Sequence, residues 1–251
     1  DGATSLDEAE ASSLKITCER AELSDDMDIL ELGCGWGSLS LWMAEKYPNS
    51  RITSISNSNQ QREFINSAAK LKNLNNLTVV TCDMNSFNAD TKFDRVVSVE
   101  MFEHMQNYEQ LMENISSWLN PNGKLFVHIF CHQKFAYFFS TEGSDNWMGR
   151  YFFTGGLMPS EDLLLKFQKK LSLDKQWRWN GRHYKQTSNA WLKNMDREKN
   201  NILPILEQVY GLNERNTWFQ RWRIFFMACA ELFGYSRGNQ WLVAHYLFKK
   251  S

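Results

Sequence analysis

The sequence has few of the features that mark secreted, membrane-spanning or nucleic-acid-binding proteins. Its five cysteines are odd in number, widely scattered and without a Cys-x-x-Cys pair, which favours reduced thiols in a cytosolic protein. No apolar run approaches membrane-spanning length, and the acidic N-terminus lacks the basic region and apolar core of a signal peptide. The formal net charge of -1 gives no electrostatic case for nucleic acid or an anionic membrane. We therefore expect a cytoplasmic protein that acts on a small or neutral partner, without stable membrane insertion.

Length and composition bound the domain organisation. A chain of 251 residues with 43% hydrophobic residues can bury a full core. We predict a single domain over residues 1–251, with a core formed by about 1–130 plus 239–251. The region of about 131–238 is less regular and denser in Phe, Tyr and Trp, so we expect it to form a lid and substrate region.

Three glycines that follow an apolar strand are the most informative feature. Gly33, Gly35 and Gly37 stand at alternate positions after the strand Asp28–Leu32, where they permit positive φ and close approach of a ligand to the backbone. A dinucleotide fingerprint needs its third glycine one residue later than Gly37, and the Lys-Ser/Thr pair of a phosphate-binding P-loop is missing. The alternative is a tight turn between strand and helix that binds nothing.

The order of predicted elements indicates an α/β fold. An opening helix at about Leu6 to Ala21 is followed by alternating strand and helix patterns, closed by a strand at Trp241–Phe248. The predicted strands are Asp28–Leu32, Arg51–Ser56, Leu77–Cys82, Arg95–Val99 and Lys124–Phe130, and the predicted helices are Ser38–Lys46, Gln60–Leu71 and Tyr108–Leu119. We expect Asn120-Pro-Asn-Gly123 to form a turn that stops the last helix. Such alternation predicts a doubly wound parallel sheet that binds ligands at the carboxyl ends of its strands.

Polar residues follow the second and third strands at that edge. Many nucleoside-binding folds place a carboxylate after the second strand, where it binds the ribose hydroxyls. No carboxylate stands there in this sequence, so Asn57, Ser58 and Gln61 would have to bind the ribose. Ser58 is equally suited to cap the helix that follows, and the two roles can coexist. After the third strand, Asp83 could accept from an adenine amino group while Met84 packs against the ring; an ordinary loop acid is the alternative for Asp83.

The segment after the fourth strand carries the predicted chemistry. Glu100, Glu103 and His104 lie at i, i+3 and i+4, so on a helical turn they would share one face. Two acids and a base beside a cofactor suit proton transfer. A solvated helix-capping cluster is the main alternative. A metal site is a weaker one, since no further His or Cys has suggestive spacing, and we predict no metal.

These motifs resemble one family in particular. Glu31-Leu-Gly-Cys-Gly-Trp-Gly37 is similar to the first motif of class I S-adenosylmethionine (SAM) methyltransferases, whose fold is Rossmann-like. Together with Glu100-Met-Phe-Glu-His-Met105 it resembles the family of cyclopropane-fatty-acyl-phospholipid synthases and coclaurine-type N-methyltransferases. Segments such as Cys131–Tyr137, Phe152–Ser160 and Trp191–Asp196 extend the resemblance over nearly the whole chain. It implies SAM as cofactor, bound by Leu32, Gly33, Gly35, Gly37, Asn57, Ser58, Gln61, Asp83 and Met84.

The two branches of that family imply different substrates. In coclaurine-type enzymes the residues matching Glu100, Glu103 and His104 hold and deprotonate an amine. In the cyclopropane synthases the residues matching Glu103, His128 and Tyr184 help to hold a bicarbonate ion that acts as base. The segments Cys131–Tyr137 and Trp191–Asp196 are more similar to the first branch, so we favour amine methylation over cyclopropanation of acyl chains. A non-catalytic SAM-binding protein is the alternative of a different class.

Aromatic residues of the predicted lid are candidates for the substrate wall. Trp147 and Phe225 represent them, and an aromatic group of this kind suits a cationic or apolar substrate. The further candidates are Tyr151, Phe152, Trp177, Trp179, His183, Tyr184, Trp222 and Phe226. For each of them, and for His128, ordinary core packing is the alternative. The expected partner is a small amine or an acyl chain and no nucleic acid, and the chain could form a homodimer.

Overall fold

The computed structural model describes residues 2–143 and 145–250. The helices are α1 (Leu6–Arg20), α2 (Ser38–Lys46), α3 (Asn59–Leu71), α4 (Tyr108–Trp118), α5 (Trp147–Tyr151), α6 (Arg182–Arg197), α7 (Lys199–Tyr210) and α8 (Arg215–Gly234). The strands are β1 (Asp28–Leu32), β2 (Arg51–Ser56), β3 (Leu77–Thr81), β4 (Phe93–Val99), β5 (Leu119–His132), β6 (Tyr137–Phe138), β7 (Leu157–Met158), β8 (Leu171–Trp179) and β9 (Trp241–Lys250). Short 3-10 helices lie at Phe102–His104, Leu164–Lys166 and Tyr235–Gly238.

Seven strands form one sheet in the order β3-β2-β1-β4-β5-β9-β8. The pairs β3/β2, β2/β1, β1/β4 and β4/β5 are parallel. The chain order reverses between β1 and β4, which makes their carboxyl ends the topological switch point where open α/β sheets bind ligands. The doubly wound parallel sheet predicted from the sequence is therefore confirmed.

The centre of the sheet is apolar because its strands are covered on both faces. Ile29, Leu30 and Leu32 of β1 are each fully buried, which explains a continuous apolar run instead of an alternating pattern. Residues of α1 and α2 pack with β1, β2, β4, β5 and β9 in one cluster: Cys18, Ala21, Ile29, Leu39, Met43, Ala44, Ile52, Val97, Phe126 and Leu247. This packing fixes the position of the loops that leave the sheet.

The segment Asn120-Pro-Asn-Gly123 differs from its prediction as a turn. Phe93 of β4 pairs with Leu119, and Arg95 pairs next with Lys124, so the four residues between form a bulge inside β5. Asn122 takes a φ of 67°, as expected for an asparagine in an irregular stretch. The helix ends at Trp118, close to its predicted end, but the predicted turn is wrong because β5 begins at Leu119, which already pairs with β4.

The chain divides into two compact units. The first contains the residues up to Ile129, Asp162–Trp177 and the residues from Ala244 onward; the second contains Phe130–Glu161 and Arg178–Val243. The residues Asp162–Trp177, which the sequence analysis placed in the lid, thus belong to the first unit. In the second unit β6 and β7 form an antiparallel pair, and a helical cluster is built around Met195 of α6, Leu206 of α7 and Phe219 of α8.

Candidate active site

The glycine loop follows β1, and its glycines serve different purposes. Gly33, Gly35 and Gly37 all have positive φ, at 78°, 53° and 85°, as predicted. A Cβ on Gly33 would lie 2.7 Å from Cγ of Met101, and one on Gly37 would lie 2.5 Å from Cγ1 of Ile65. A Cβ on Gly35 would meet no protein atom within 4 Å. Gly33 and Gly37 are therefore required by packing, and Gly35 alone faces open space.

A cavity of about 470 Å³ opens beside this loop. It lies at the carboxyl ends of β1 to β4, where the topology predicts a ligand site. Its wall consists of Gly33, Gly35, Ile55, Ser56, Asn57, Gln61, Cys82, Asp83, Met84, Asn85, Glu100, Met101, His104 and Met105. The structure thus brings predicted cofactor residues together with two of the three predicted catalytic residues in one cavity.

Three predicted cofactor residues do not line this cavity. Leu32 is fully buried in the core. Gly37 is the N-cap residue of α2 and packs against Ile65. Ser58 is the N-cap of α3, where its Oγ accepts a hydrogen bond from the backbone N of Gln61. The capping alternative for Ser58 is therefore confirmed, and a cofactor contact by these three residues stays a prediction. Lining residues that the sequence analysis missed include Ser56, Cys82 and Asn85, which had only their place beside predicted residues as a signal.

Glu100 reaches the cavity through an unusual backbone conformation. The predicted helical face is wrong, because the 3-10 helix covers only Phe102–His104 and Glu100 precedes it with a φ of 53°. A left-handed glutamate costs about 1–2 kcal/mol. Two contacts to His128 hold it there: the Glu100 backbone N donates to the His128 backbone O at 3.0 Å, and Glu100 Oε1 lies 3.0 Å from His128 Nε2. Strain of this kind commonly persists where function requires it.

Glu103, unlike Glu100, does not line the cavity. Its side chain is buried, with the residue 1% exposed. Burial, reinforced by the negative charge of Glu100, raises the pKa of Glu103 well above its usual range, and the two carboxyl groups share a hydrogen bond. Oε2 of Glu103 has no hydrogen-bond partner among the described residues, which a neutral carboxyl tolerates better than a carboxylate. Burial and the neighbouring charge of Glu100 therefore both favour the protonated form of Glu103.

His104 lines the cavity together with Glu100. Burial lowers the pKa of His104, and the charge of Glu100 opposes that shift. A neutral imidazole can accept a proton, whereas an imidazolium cannot. The cavity wall thus presents two proton acceptors, the Glu100 carboxylate and the His104 ring.

His128 connects this site to residues that the sequence analysis did not select. Its Nδ1 lies 2.8 Å from Nε2 of His245 in β9, and Nδ1 of His245 lies 2.9 Å from Nη1 of Arg20 in α1. His128 is buried, as the core alternative required, and is also bonded to Glu100. No local pattern could reveal this chain, because its members lie more than a hundred residues apart.

The predicted substrate residues of the lid, Trp177 excepted, lie in the second unit. Phe152 stacks on Phe225 with ring centroids 4.5 Å apart, and Trp147 and Trp222 lie 5.2 and 4.9 Å from Phe152. Tyr184 belongs to another cluster, where it stacks on Phe233 at 4.5 Å. The structure therefore gathers Trp147 and Phe225 around Phe152 and places Tyr184 elsewhere in the unit.

Trp177 lies in the first unit and packs against its core. The Arg20 guanidinium lies over its ring, 5.2 Å from the ring centroid.

Within the described ranges, no group of three or more His, Cys, Asp or Glu is placed to hold a metal ion. No helix of the described chain is long and apolar enough to cross a membrane.

The cavity suits SAM on the evidence of its own wall. Open space beside Gly35 admits a ligand close to the backbone, as the methionine part of the cofactor requires. Asp83, Asn57 and Gln61 supply the polar groups that an adenosine needs, and Met84 supplies an apolar surface. When bound, SAM supplies a methyl group on a positively charged sulfur.

Comparisons with known proteins agree with this geometry. The family model of mycolic acid cyclopropane synthetase matches residues 1–241. The (S)-coclaurine N-methyltransferase of Thalictrum flavum subsp. glaucum is 39% identical over 251 residues, covering 98% of this chain and 70% of that protein. The cyclopropane-fatty-acyl-phospholipid synthase of Escherichia coli K12 is 29% identical over 191 residues, covering 75% of this chain and 47% of that protein.

A solved structure is similar over the whole chain. It is a coclaurine N-methyltransferase bound to N-methylheliamine and SAH, with a TM-score of 0.95 and 38% identity, and the match covers 100% of this chain and 75% of that one. The sheet, the glycine loop and the cavity define a SAM-dependent methyltransferase with a Rossmann-like fold. The chain belongs to the mycolic acid cyclopropane synthetase family, and SAM is its cofactor.

Proposed function

We propose that the protein transfers the methyl group of SAM to the nitrogen of a small amine. The observation that carries this proposal is the position of Glu100 and His104 on the wall of the cavity that the glycine loop borders. A proton acceptor beside the methyl donor is what amine methylation needs, since an ammonium has no lone pair. The N-methyltransferase names of the relatives that are most similar point to the same chemistry.

The two carboxyl groups have different roles in this proposal. The substrate ammonium would give one proton to the Glu100 carboxylate or to the neutral His104 ring and become a neutral amine. The lone pair of that amine would then form a bond to the methyl carbon while the bond between this carbon and the sulfonium sulfur breaks, with its electron pair left on the sulfur of SAH. Glu103, buried and protonated, donates to Glu100 and keeps it an acceptor. From the sequence we had expected Glu103 and His104 to act on the substrate, with Glu100 in support. The burial of Glu103 instead supports exchanging the roles of the two acids.

Cofactor contacts follow from the cavity wall and from the family resemblance. We propose that Gly33 and Gly35 admit the methionine part, that Asn57 and Gln61 bind the ribose, and that Asp83 accepts from the adenine amino group while Met84 packs against the ring. Trp147 and Phe225 stay predicted substrate contacts, because an aromatic cluster attracts a cationic or apolar group.

Cyclopropanation of acyl chains is the second candidate, favoured by the family to which the chain belongs. That reaction adds a methyl group to an alkene and then removes a proton from a carbocation, for which the resemblance implies bicarbonate at Glu103, His128 and Tyr184. Both ring nitrogens of His128 are already hydrogen-bonded, to Glu100 and to His245. A bound ion would have to displace one of them, and this observation supports the amine as acceptor.

The test is a comparison of acceptors with SAM labelled in its methyl group. The purified protein is incubated with a panel of secondary and tertiary amines and, separately, with lipid extracts with and without bicarbonate. We expect labelled N-methyl product from amines and none from lipid, with Glu100→Gln as the inactive control. Label in acyl chains that depends on bicarbonate would support cyclopropanation, and SAM binding without any product would support the non-catalytic alternative.

Location and assembly belong to the same proposal. The five cysteines are odd in number and widely scattered, which suits a reducing compartment, and we propose a cytoplasmic location. We also propose that the acceptor is a small molecule and not a nucleic acid, and homodimer formation stays a prediction.

A further inference from the structure

We infer that Arg20 and His245 are positioning residues that fix the direction of a chain of hydrogen bonds and thereby keep Glu100 an acceptor. Neither residue lines the cofactor cavity. The chain runs from Arg20 through His245 and His128 to Glu100, with distances of 2.9, 2.8 and 3.0 Å between the bonded atoms. The inference rests on the proposed function, since it concerns the base that an amine requires.

The direction is fixed at the Arg20 end. A guanidinium carries only donors and stays protonated in proteins, so Nδ1 of His245 must accept the bond from Nη1 of Arg20. The His245 ring is fully buried, and burial together with the neighbouring His128 and Arg20 lowers its pKa well below the usual range. His245 is therefore neutral, and its one ring proton lies on Nε2.

Each later bond then follows from the one before it. Nε2 of His245 donates to Nδ1 of His128, so a neutral His128 carries its proton on Nε2. That proton points to Oε1 of Glu100, which accepts it. Reversal of the chain would need an acceptor at Arg20, which a guanidinium lacks. The chain consequently orients protons and does not conduct them.

The result at Glu100 is a carboxylate that accepts from two sides. His128 donates from β5, and the protonated Glu103 donates from the 3-10 helix that follows. Both donors point at the Glu100 carboxyl group, so the side chain is held as a hydrogen-bond acceptor. The Glu100 side chain is 26% exposed and can therefore contact a substrate. Glu103 is only 1% exposed and cannot.

Several other side chains surround the hydrogen bonds that run from Arg20 to Glu100. Trp177 of β8 packs on the guanidinium of Arg20, and the ring of Phe126 from β5 meets the His245 ring edge-on at 5.1 Å. His104 is the further titratable group that interacts with Glu100. These apolar rings keep water from replacing the ring N–H donors. The direction of the hydrogen bonds from Arg20 to Glu100 is therefore set by the packing of the protein.

The first experiment reads the ring protons directly and needs no substrate. The full chain is labelled with ¹⁵N in its histidines, and the ring nitrogen resonances of His128 and His245 are assigned with single variants. We expect both rings to be neutral with the proton on Nε2 near pH 7. A proton on Nδ1 of either ring would overturn the inference, even if amine methylation itself is confirmed.

The second experiment uses the pH dependence of turnover. Arg20→Met removes the fixed donor and keeps an apolar side chain against Trp177, whereas Arg20→Lys keeps a donor-only cation. Without Arg20 the direction of the hydrogen bonds is no longer fixed, so His128 need not donate to Glu100. Because a carboxylate that loses a donor is easier to protonate, we expect the acid limb of kcat/KM in Arg20→Met to move up by about one pH unit. Arg20→Lys should restore most of the wild-type limb, and SAM affinity should not change.

Arg95→Met is the matched control for lost stability. Arg95 is a buried arginine of the first unit, whereas Arg20 is partly buried, and the Nε of Arg95 donates to the backbone O of Ala21, next to Arg20. It should lower the melting temperature without moving the acid limb. If Arg20→Met folds and keeps the wild-type limb, or if Arg95→Met moves the limb equally, Arg20 has only a structural role. If the wild type methylates no amine at all, the proposed function fails while the ring protons still decide this inference.

Discussion

The glycine loop makes a prediction that separates packing from cofactor binding. The perturbation is one added methyl group at each of three neighbouring positions: Gly33→Ala, Gly35→Ala and Gly37→Ala. All three substitutions place an alanine at positive φ, so they share a backbone cost of roughly 1–2 kcal/mol. They differ in what the new Cβ meets, and the structure assigns each a different consequence.

Packing adds to that cost at two of the positions. The Cβ at Gly33 would lie 2.8 Å from Cβ of Met101, and the Cβ at Gly37 would lie 2.5 Å from Cγ1 of Ile65, so neighbouring side chains must move. Overpacking of this kind typically costs about 1–3 kcal/mol. With about 2–4 °C of melting temperature per kcal/mol in a chain of this size, we expect losses of roughly 4–20 °C for these two variants.

Gly35→Ala should instead act on the cofactor. Its Cβ meets no protein atom, so its melting temperature should fall only by the shared backbone cost. Because Gly35 lines the cavity, the added methyl group should occupy space that SAM needs, and we expect at least a tenfold weaker Kd, about 1.4 kcal/mol or more. Titration calorimetry with SAM and with SAH, together with thermal unfolding, measures both quantities.

Gly211→Ala is the matched control, since Gly211 has a φ of 86°, meets nothing within 4 Å and lies at the end of α7. It should leave SAM affinity unchanged. Wild-type SAM affinity in Gly35→Ala would refute the assignment of the loop. Wild-type melting temperatures in Gly33→Ala and Gly37→Ala would refute the packing argument.

Three further predictions concern the acids of the site. Glu100→Gln should lower kcat by about 10²–10⁴-fold with little change in SAM affinity, whereas Glu103→Gln, which keeps a donor toward Glu100, should cost less than tenfold in steady-state assays; equal losses would contradict the roles proposed for the two acids. Asp83→Ala should weaken SAM binding by about 1.5–3 kcal/mol in calorimetry, unless the adenine lies elsewhere. Since burial raises the pKa of Glu103, its stabilising contribution is present below the unfolded pKa and lost as pH rises through the folded one. The melting temperature of Glu103→Gln should therefore rise relative to that of the wild type between pH 5 and pH 9. If the two melting temperatures instead change in parallel with pH, Glu103 is not held protonated.

Local patterns predicted six of the seven strands of the sheet, because strand and helix signals are local, and missed β8. The bounds of β1, β2 and α2 were predicted as observed, since a buried strand and an amphipathic helix each show their period within a few residues. The turn residues at 120–123 were also recognised, but pairing with β4 absorbed them into β5 as a bulge. Strand pairing is a tertiary interaction, so it can overrule a turn signal.

For the active site, the sequence by itself determined which residues would stand at the carboxyl ends of the strands. It identified the glycine loop, Asp83 and the Glu100 segment, because the order of elements in an α/β chain fixes which loops meet at the switch point.

Only the tertiary structure decided how those residues divide the work. The left-handed backbone at Glu100, the burial of Glu103 and the chain from Arg20 through His245 to His128 depend on α1, β5 and β9 packing together. Protonation follows from burial and from neighbouring donors, and both arise when distant segments meet. The chemistry of the site is therefore set by contacts that span the chain, although the residues that perform it can be read locally.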